Sequence, residues 1–302
     1  MQFNIQRRMA AATAALALCL VMLAGTPVKA TEGGGGAYPN GAEDFMSGAV
    51  PPPGTYFINY FDYYSAGSFR DNSGNKYPFE FDADVYANVF RLIHVTPYKV
   101  LGGYWGMHVF LPLMKVDVLK SPGGSGSKEG LGDIIVDPFI LSWHGKNWHL
   151  ATGLDIYCPT GSYDKMRVAN IGRNYWTFEP IVAGTFVTDS GFEVSAKLMY
   201  DFNTKNTDTD YLSGQEFHVD YTVGQKVGPF NLGVGGYYYQ QTTDDEVGGS
   251  DLKDNRGMTV AIGPQAKYNF KNMSFILKYH FEVESRNRPQ GNNLWAKFVY
   301  AF

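Results

Sequence analysis

Carboxylates, imidazoles and lysines recur along this chain of 302 residues at alternate positions. Asp82 and Asp84 follow Glu80, His218 precedes Asp220, and Lys278, His280 and Glu282 form a run of three. Such side chains can exchange protons, ligate a metal or line a polar conduit. Spacing decides among these, and a period of two sets them along one face of an extended strand. The paired carboxylates are then most simply a solvated strand face. No G-x-S-x-G nucleophile motif occurs and no Cys/His spacing fits zinc. A membrane-barrel lipase would need Ser and His on the lipid-facing side, whereas His108, His149, His218 and His280 all take the polar parity. No catalytic activity, metal site or cofactor is expected.

The elements that position these residues are strands. Phe192, Val194, Ala196, Leu198, Tyr200 and Phe202 alternate with Glu193, Ser195, Lys197, Met199, Asp201 and Asn203. The same alternation recurs over 216–223 and 274–284. About twelve strands are expected, near 55–65, 79–95, 99–118, 133–143, 148–157, 175–188, 192–203, 215–227, 230–241, 257–270, 273–284 and 293–302. Many run to about ten residues, the length that crosses a bilayer at a tilt. Tight links at 96–98, 144–147, 189–191, 228–229 and 271–272 alternate with long polar ones at 67–78, 120–131, 158–174, 204–214, 242–256 and 285–292. Short periplasmic turns and long outer loops are the habit of transmembrane barrels. The fold class is therefore all-β, a transmembrane antiparallel β-barrel of about 12 strands spanning 55–302.

Parity assigns the lumen. Glu80, Asp82, Asp84, His108, Asp137, His149, Asp155, Glu179, Lys197, Asp201, His218, Asp220, Gln265, Lys267, Lys278, His280, Glu282 and Lys297 are expected to point inward, with the rings of Tyr86, Tyr237, Tyr239 and Trp295. On the lipid face a Lys or Arg would cost about 2–4 kcal/mol at the midplane. Arg91 shares parity with an apolar face and is expected near the periplasmic rim. Lys115 and Asp117 fall opposite to His108, which predicts a bulge at Pro112.

Residues 1–30 read as a cleavable secretory signal peptide: Arg7 and Arg8 precede an apolar run, and Val28-Lys29-Ala30 ends it. Its removal leaves Cys158 as the lone cysteine, so an intrachain disulfide is excluded. It also takes away Arg7, Arg8 and Lys29, leaving 22 basic against 29 acidic residues, a net charge of about −7. Nucleic acid is thereby excluded as a partner. The chain stops at Phe302 on the face shared with Leu294, Ala296, Phe298 and Tyr300, resembling the terminal aromatic by which the barrel-assembly machinery recognises outer-membrane proteins.

Residues 31–54 are rich in Gly and Pro, yet Tyr38, Asn40, Glu43, Asp44, Phe45 and Met46 sit among them. A compact segment of this kind, ahead of the first strand, is expected to fold into the lumen as a plug. Glu43 or Asp44 would pair with Lys197, Lys267 or Lys278, and Phe45 and Met46 would pack on lumen aromatics. The run Glu32-Gly33-Gly34-Gly35-Gly36, then Tyr38-Pro39-Asn40-Gly41-Ala42-Glu43, Phe45-Met46, Gly48-Ala49, Pro51-Pro52-Pro53-Gly54, Tyr56 and Asn59-Tyr60 resembles the start of the outer-membrane family named for the MetA pathway of phenol degradation. That resemblance implies an outer-membrane channel of a Gram-negative bacterium for a small hydrophobic or aromatic solute, not a catalyst. The rival expectation is a non-transporting surface barrel whose long loops bind a ligand or partner.

Overall fold

A computed structural model describes residues 31–302; the expected signal peptide lies outside the described residues. In chain order the strands are β1 (Gly54–Ala66), β2 (Phe81–Val100), β3 (Gly103–Lys120), β4 (Gly124–Leu131), β5 (Ile134–His144), β6 (Trp148–Cys158), β7 (Thr177–Val187) and β8 (Phe192–Asn203). There follow β9 (Tyr211–Leu212), β10 (Glu216–Val227), β11 (Phe230–Gln241), β12 (Asp245–Val247), β13 (Ser250–Leu252), β14 (Met258–Phe270), β15 (Met273–Arg286) and β16 (Asn292–Ala301).

Twelve of these form the wall. Each pairs antiparallel with its neighbours in the order β2-β1-β16-β15-β14-β11-β10-β8-β7-β6-β5-β3, and pairing of β2 with β3 closes the ring. Closure leaves no free edge in the wall, the condition for a sheet to cross a bilayer. β4 folds back on the far end of β3, and β9, β12 and β13 make a small separate sheet within the long links. Leu198, Val182, Val234, Leu277, Phe281 and Val283 stand exposed on the outer face, as an apolar belt requires. Among the described residues no helix is long and apolar enough to span a membrane.

Three local expectations fail. The first tight link is not 96–98: β2 runs on through Pro97 to Val100, its register with β3 slips between Val95 and Lys99, and the chain turns at Leu101-Gly102 with φ of 52° and 81°. Pro97 reads as a turn residue, but an irregular ladder tolerates its missing donor. The expected bulge at Pro112 is absent, since β2 and β3 keep one register from Phe81↔Lys120 to Val95↔Gly106. Pro112 instead sits where β3 exchanges β5, paired as far as Phe110, for β4, paired from Leu113. The third failure is the polar link after Lys120, much of which is β4.

Candidate functional site

Inward parity divides by sign around the ring. Asp137 on β5, Asp155 on β6, Glu179 on β7, Glu193 and Asp201 on β8, and Glu216 and Asp220 on β10 are all buried on five adjacent strands. Across the lumen, Arg91 on β2, Lys297 on β16, Lys278 on β15 and half-buried Lys267 on β14 occupy the opposite arc. Lys197 breaks the pattern on the acidic side, 3.4 Å from Asp155 and 3.9 Å from Glu179. Glu282 and Asp62 break it on the basic side, Glu282 accepting from the hydroxyls of Tyr64 and Tyr237. The two arcs set up a field across the lumen, which low-dielectric walls would concentrate.

Residues 31–53 lie between the arcs. On the acidic side their N–H groups donate: Gly41 N and Glu43 N each approach Asp220 at 2.9 Å, where the Tyr38 hydroxyl also donates. Met46 N donates to Glu193 and Gly48 N to Thr185 Oγ1. Facing the basic arc, the same segment offers oxygens. Lys278 Nζ donates to the carbonyls of Gly41 (2.6 Å), Ala42 (2.9 Å) and Glu43 (3.1 Å) and lies 3.3 Å from Asp44 Oδ2. Lys297 Nζ is 3.2 Å from Asp44 and 3.5 Å from Glu43, whose other oxygen is 3.5 Å from Arg91. Burial acts to raise the Glu43 pKa, but Lys297, then Arg91, outweigh it and hold the carboxyl at about 2. Polarity along the peptide groups thus matches polarity across the barrel.

Close approach explains several glycines here. A Cβ at Gly48 would come within 2.7 Å of the Gly184 and Thr185 backbone, and one at Gly224 within 2.5 Å of the Phe45 ring. Phe45 therefore rests over Gly224 and Gly233, a facing pair on β10 and β11, and not on the aromatic rings expected from the sequence. Tyr38 stacks edge-on against His218, 5.5 Å between centroids, and Asn40 Oδ1 lies 2.7 Å from His218 Nδ1. The segment starts among the long links, where the Tyr163 hydroxyl and Asn206 reach the Glu32 carboxylate and Arg173 donates to the carbonyls of Gly35 and Gly36. It ends at the opposite rim, where β1 begins.

His108, Asp155, Glu179, Asp201, His218, Asp220, Lys278 and His280 stand buried at inward parity, with Trp295, Tyr237 and Tyr239. His149 takes that parity at the rim, its Nδ1 2.9 Å from that of His144. Glu80, Asp82, Asp84 and Tyr86 do not line the lumen. They are exposed or half-buried on the outer face, while Phe81, Ala83, Val85 and Ala87 point in. Here β2 has risen past the apolar belt, so its outer face is polar; its inner face packs under Phe69 and Tyr77 in the long link. Asp117 lies opposite Asp84, and Lys115 stays outward with it, 2.9 Å away. Arg91 is inward and half-buried, not at the rim, between Tyr60, His108 and Glu43. Glu193 is legible as a polar strand residue, but nothing in the sequence marks it as the acceptor for Met46 N.

Two buried groups have ligand types that suit a cation. In His108, Asp137 and Asp155, every member is already partnered: His108 by Asp155 at 2.7 Å and Arg91 at 2.8 Å, Asp137 by the N–H groups of Phe139 and Leu154. In Asp201, Glu216 and His218, the imidazole Nε2 lies 3.3 Å from Asp201 and 3.8 Å from Glu216.

Comparison with curated proteins gives no match. Among solved structures the barrel is similar to the COG4313 outer membrane channel from Pseudomonas putida F1, at 19% identity and a TM-score of 0.76, over 85% of this chain and 98% of that one. It is also similar to the beta domain of the Bordetella autotransporter BrkA, at 13% identity and a TM-score of 0.51, over 83% and 100%. Closed ring, apolar belt and these likenesses make this an outer-membrane barrel, in contact with outer-membrane lipid. A family model covers residues 66–298. The chain belongs to the family described as "Putative MetA-pathway of phenol degradation".

Proposed function

We propose that the protein is a channel by which small hydrophobic or aromatic compounds diffuse across the outer membrane, and that residues 31–49 are its plug. The carrying observation is the double-sided hold on that segment, with Asp220 accepting three donors from one arc and Lys278 giving donors to three carbonyls from the other. A segment that adds no strand to the ring can be unseated without breaking the wall, because the wall's ladder does not pass through it. Buried rings at Tyr60, Tyr237 and Trp295 beside ionic groups would give an aromatic solute stacking surfaces and hydrogen-bond partners along the vacated path. The family description and the likeness to an outer membrane channel support this reading. It needs no catalytic residue and no cofactor, and Phe302 would serve recognition by the barrel-assembly machinery.

Liposomes carrying the full chain and a variant lacking residues 31–49 test it with phenols, aromatic acids and sugars. The deletion is expected to raise permeation of aromatic solutes above that of the full chain. Permeation equal to that of empty liposomes in both would reject a channel, and equal, high permeation in both would reject the plug alone.

A further inference from the structure

The outer end of the segment meets a buried carboxylate whose hydrogen-bond donors carry no charge. Asp245, on β12 in the long link after β11, is completely buried. Its oxygens accept from Gly214 N at 2.7 Å, the Gln241 amide at 2.8 Å, the Tyr211 hydroxyl at 2.6 Å, the Asn255 amide, and Thr31 N at 3.1 Å. These donors are all neutral while Thr31 stays in peptide linkage. Burial then pushes the Asp245 carboxyl up. Thr31 is itself completely buried, and its φ of 53° is an outlier for a β-branched residue.

Both anomalies vanish if the chain begins at Thr31. We infer that the α-ammonium of Thr31, released by cleavage after Ala30, docks on Asp245 and pins the outer end of the segment to the loops. Cleavage adds water across the Ala30–Thr31 bond: the carboxylate leaves on the signal peptide, and the amine takes up a proton and stays. A free terminus has no φ to strain, and an α-amino group is cationic at neutral pH, with an ordinary pKa near ~8. One charge-assisted bond to the carboxylate replaces a neutral one and is the stronger for it. The inner contacts repeat on either side of this lock: Thr31 Oγ1 donates to Gly35 O, and Glu32 N to Ser213. The inference concerns processing and seating of the terminus and stands whether or not any solute is carried.

Protein extracted from outer membranes is first measured by intact mass, with a start at Thr31 expected and any other start overturning the inference. The folded protein in detergent is then treated at neutral pH with an amine-acylating reagent, and Thr31 modification is followed by peptide mass. Burial and pairing are expected to slow acylation at least about tenfold relative to the urea-unfolded chain. Asp245→Asn, which keeps the shape and removes the charge, is expected to bring most of that rate back. Inserting one alanine between Ala30 and Thr31 displaces the ammonium and is expected to do the same, with heat-resistant migration in gels confirming an intact barrel. Acylation of the native terminus as fast as in the unfolded chain would overturn the inference, and needs no variant to fold.

Discussion

Asp44 is the side chain on which two buried ammonium groups converge, with Lys278 and Lys297 within 3.3 Å of one oxygen. Replacing it with asparagine leaves Lys297 with Glu43 alone and Lys278 with no carboxylate partner, and breaking one side of a buried pair costs about 3–5 kcal/mol. Lys278 keeps its three carbonyls, so we expect the lower end, about 3 kcal/mol, seen as a lower urea midpoint for Asp44→Asn in detergent. An unchanged midpoint would mean that the pairs do not hold the segment. Glu43 adds a dependence on pH. Its carboxyl is held at about 2 against an ordinary 4.5, so its contribution is fully present above about 4.5 and drains away as pH falls toward 2. Bilayer conductance should stay at its neutral value down to about pH 5 and rise below it. Glu43→Gln should show that raised conductance already at pH 7, with the acid step lost.

At the scale of elements, the glycine pair Gly224 and Gly233 leaves a shallow dent in β10 and β11 that admits Phe45. Gly224→Leu fills the dent from the wall side, and the wall, held by its ladder, should survive. The expected outcome is a barrel that still resists heat in gels while protease now cuts within residues 31–49; resistance to cutting would show that Phe45 has another place to go. In the β2–β3 turn, Leu101 is exposed and carries φ of 52°. Two-residue turns with φ above zero at both positions favour Asn-Gly. Leu101→Asn should raise the urea midpoint by an amount worth about 1 kcal/mol.

These elements also show what the sequence could and could not tell. Alternation is a local property, so Phe192 to Asn203 could be read as a strand with Glu193 and Asp201 on its polar side. The inference from polar to inward holds only inside the bilayer. Asp82 and Asp84 escape it because β2 continues beyond the apolar belt, and Arg91 escapes it because an inward partner, Glu43, lies 48 positions earlier in the chain. Which carboxylate meets which lysine is set by ring closure and register, and no window of sequence contains that information.

For the molecule as a whole, the segment neutralises part of a lumen whose charges are otherwise sorted to opposite sides. Removing residues 31–49 takes Glu43 and Asp44 away from Arg91, Lys278 and Lys297 and returns the facing carboxylates of β5 to β10 to water. The carboxylates at inward parity outnumber the cations there. The vacated lumen should therefore prefer cations, because fixed charge along a narrow path raises the concentration of its counter-ion. Under a KCl gradient the deletion variant is expected to reverse at a potential displaced toward that of potassium, and the displacement should shrink as salt screens the walls. Exchanging Asp137 and Glu193 for their amides should reduce it further. The Asp137 amide keeps one of its two backbone donors, and Glu193 loses charge but can still accept from Ser195, so the ring, held by its ladder, should survive both changes. A reversal toward chloride would mean that the basic arc, not the acidic one, governs the open path.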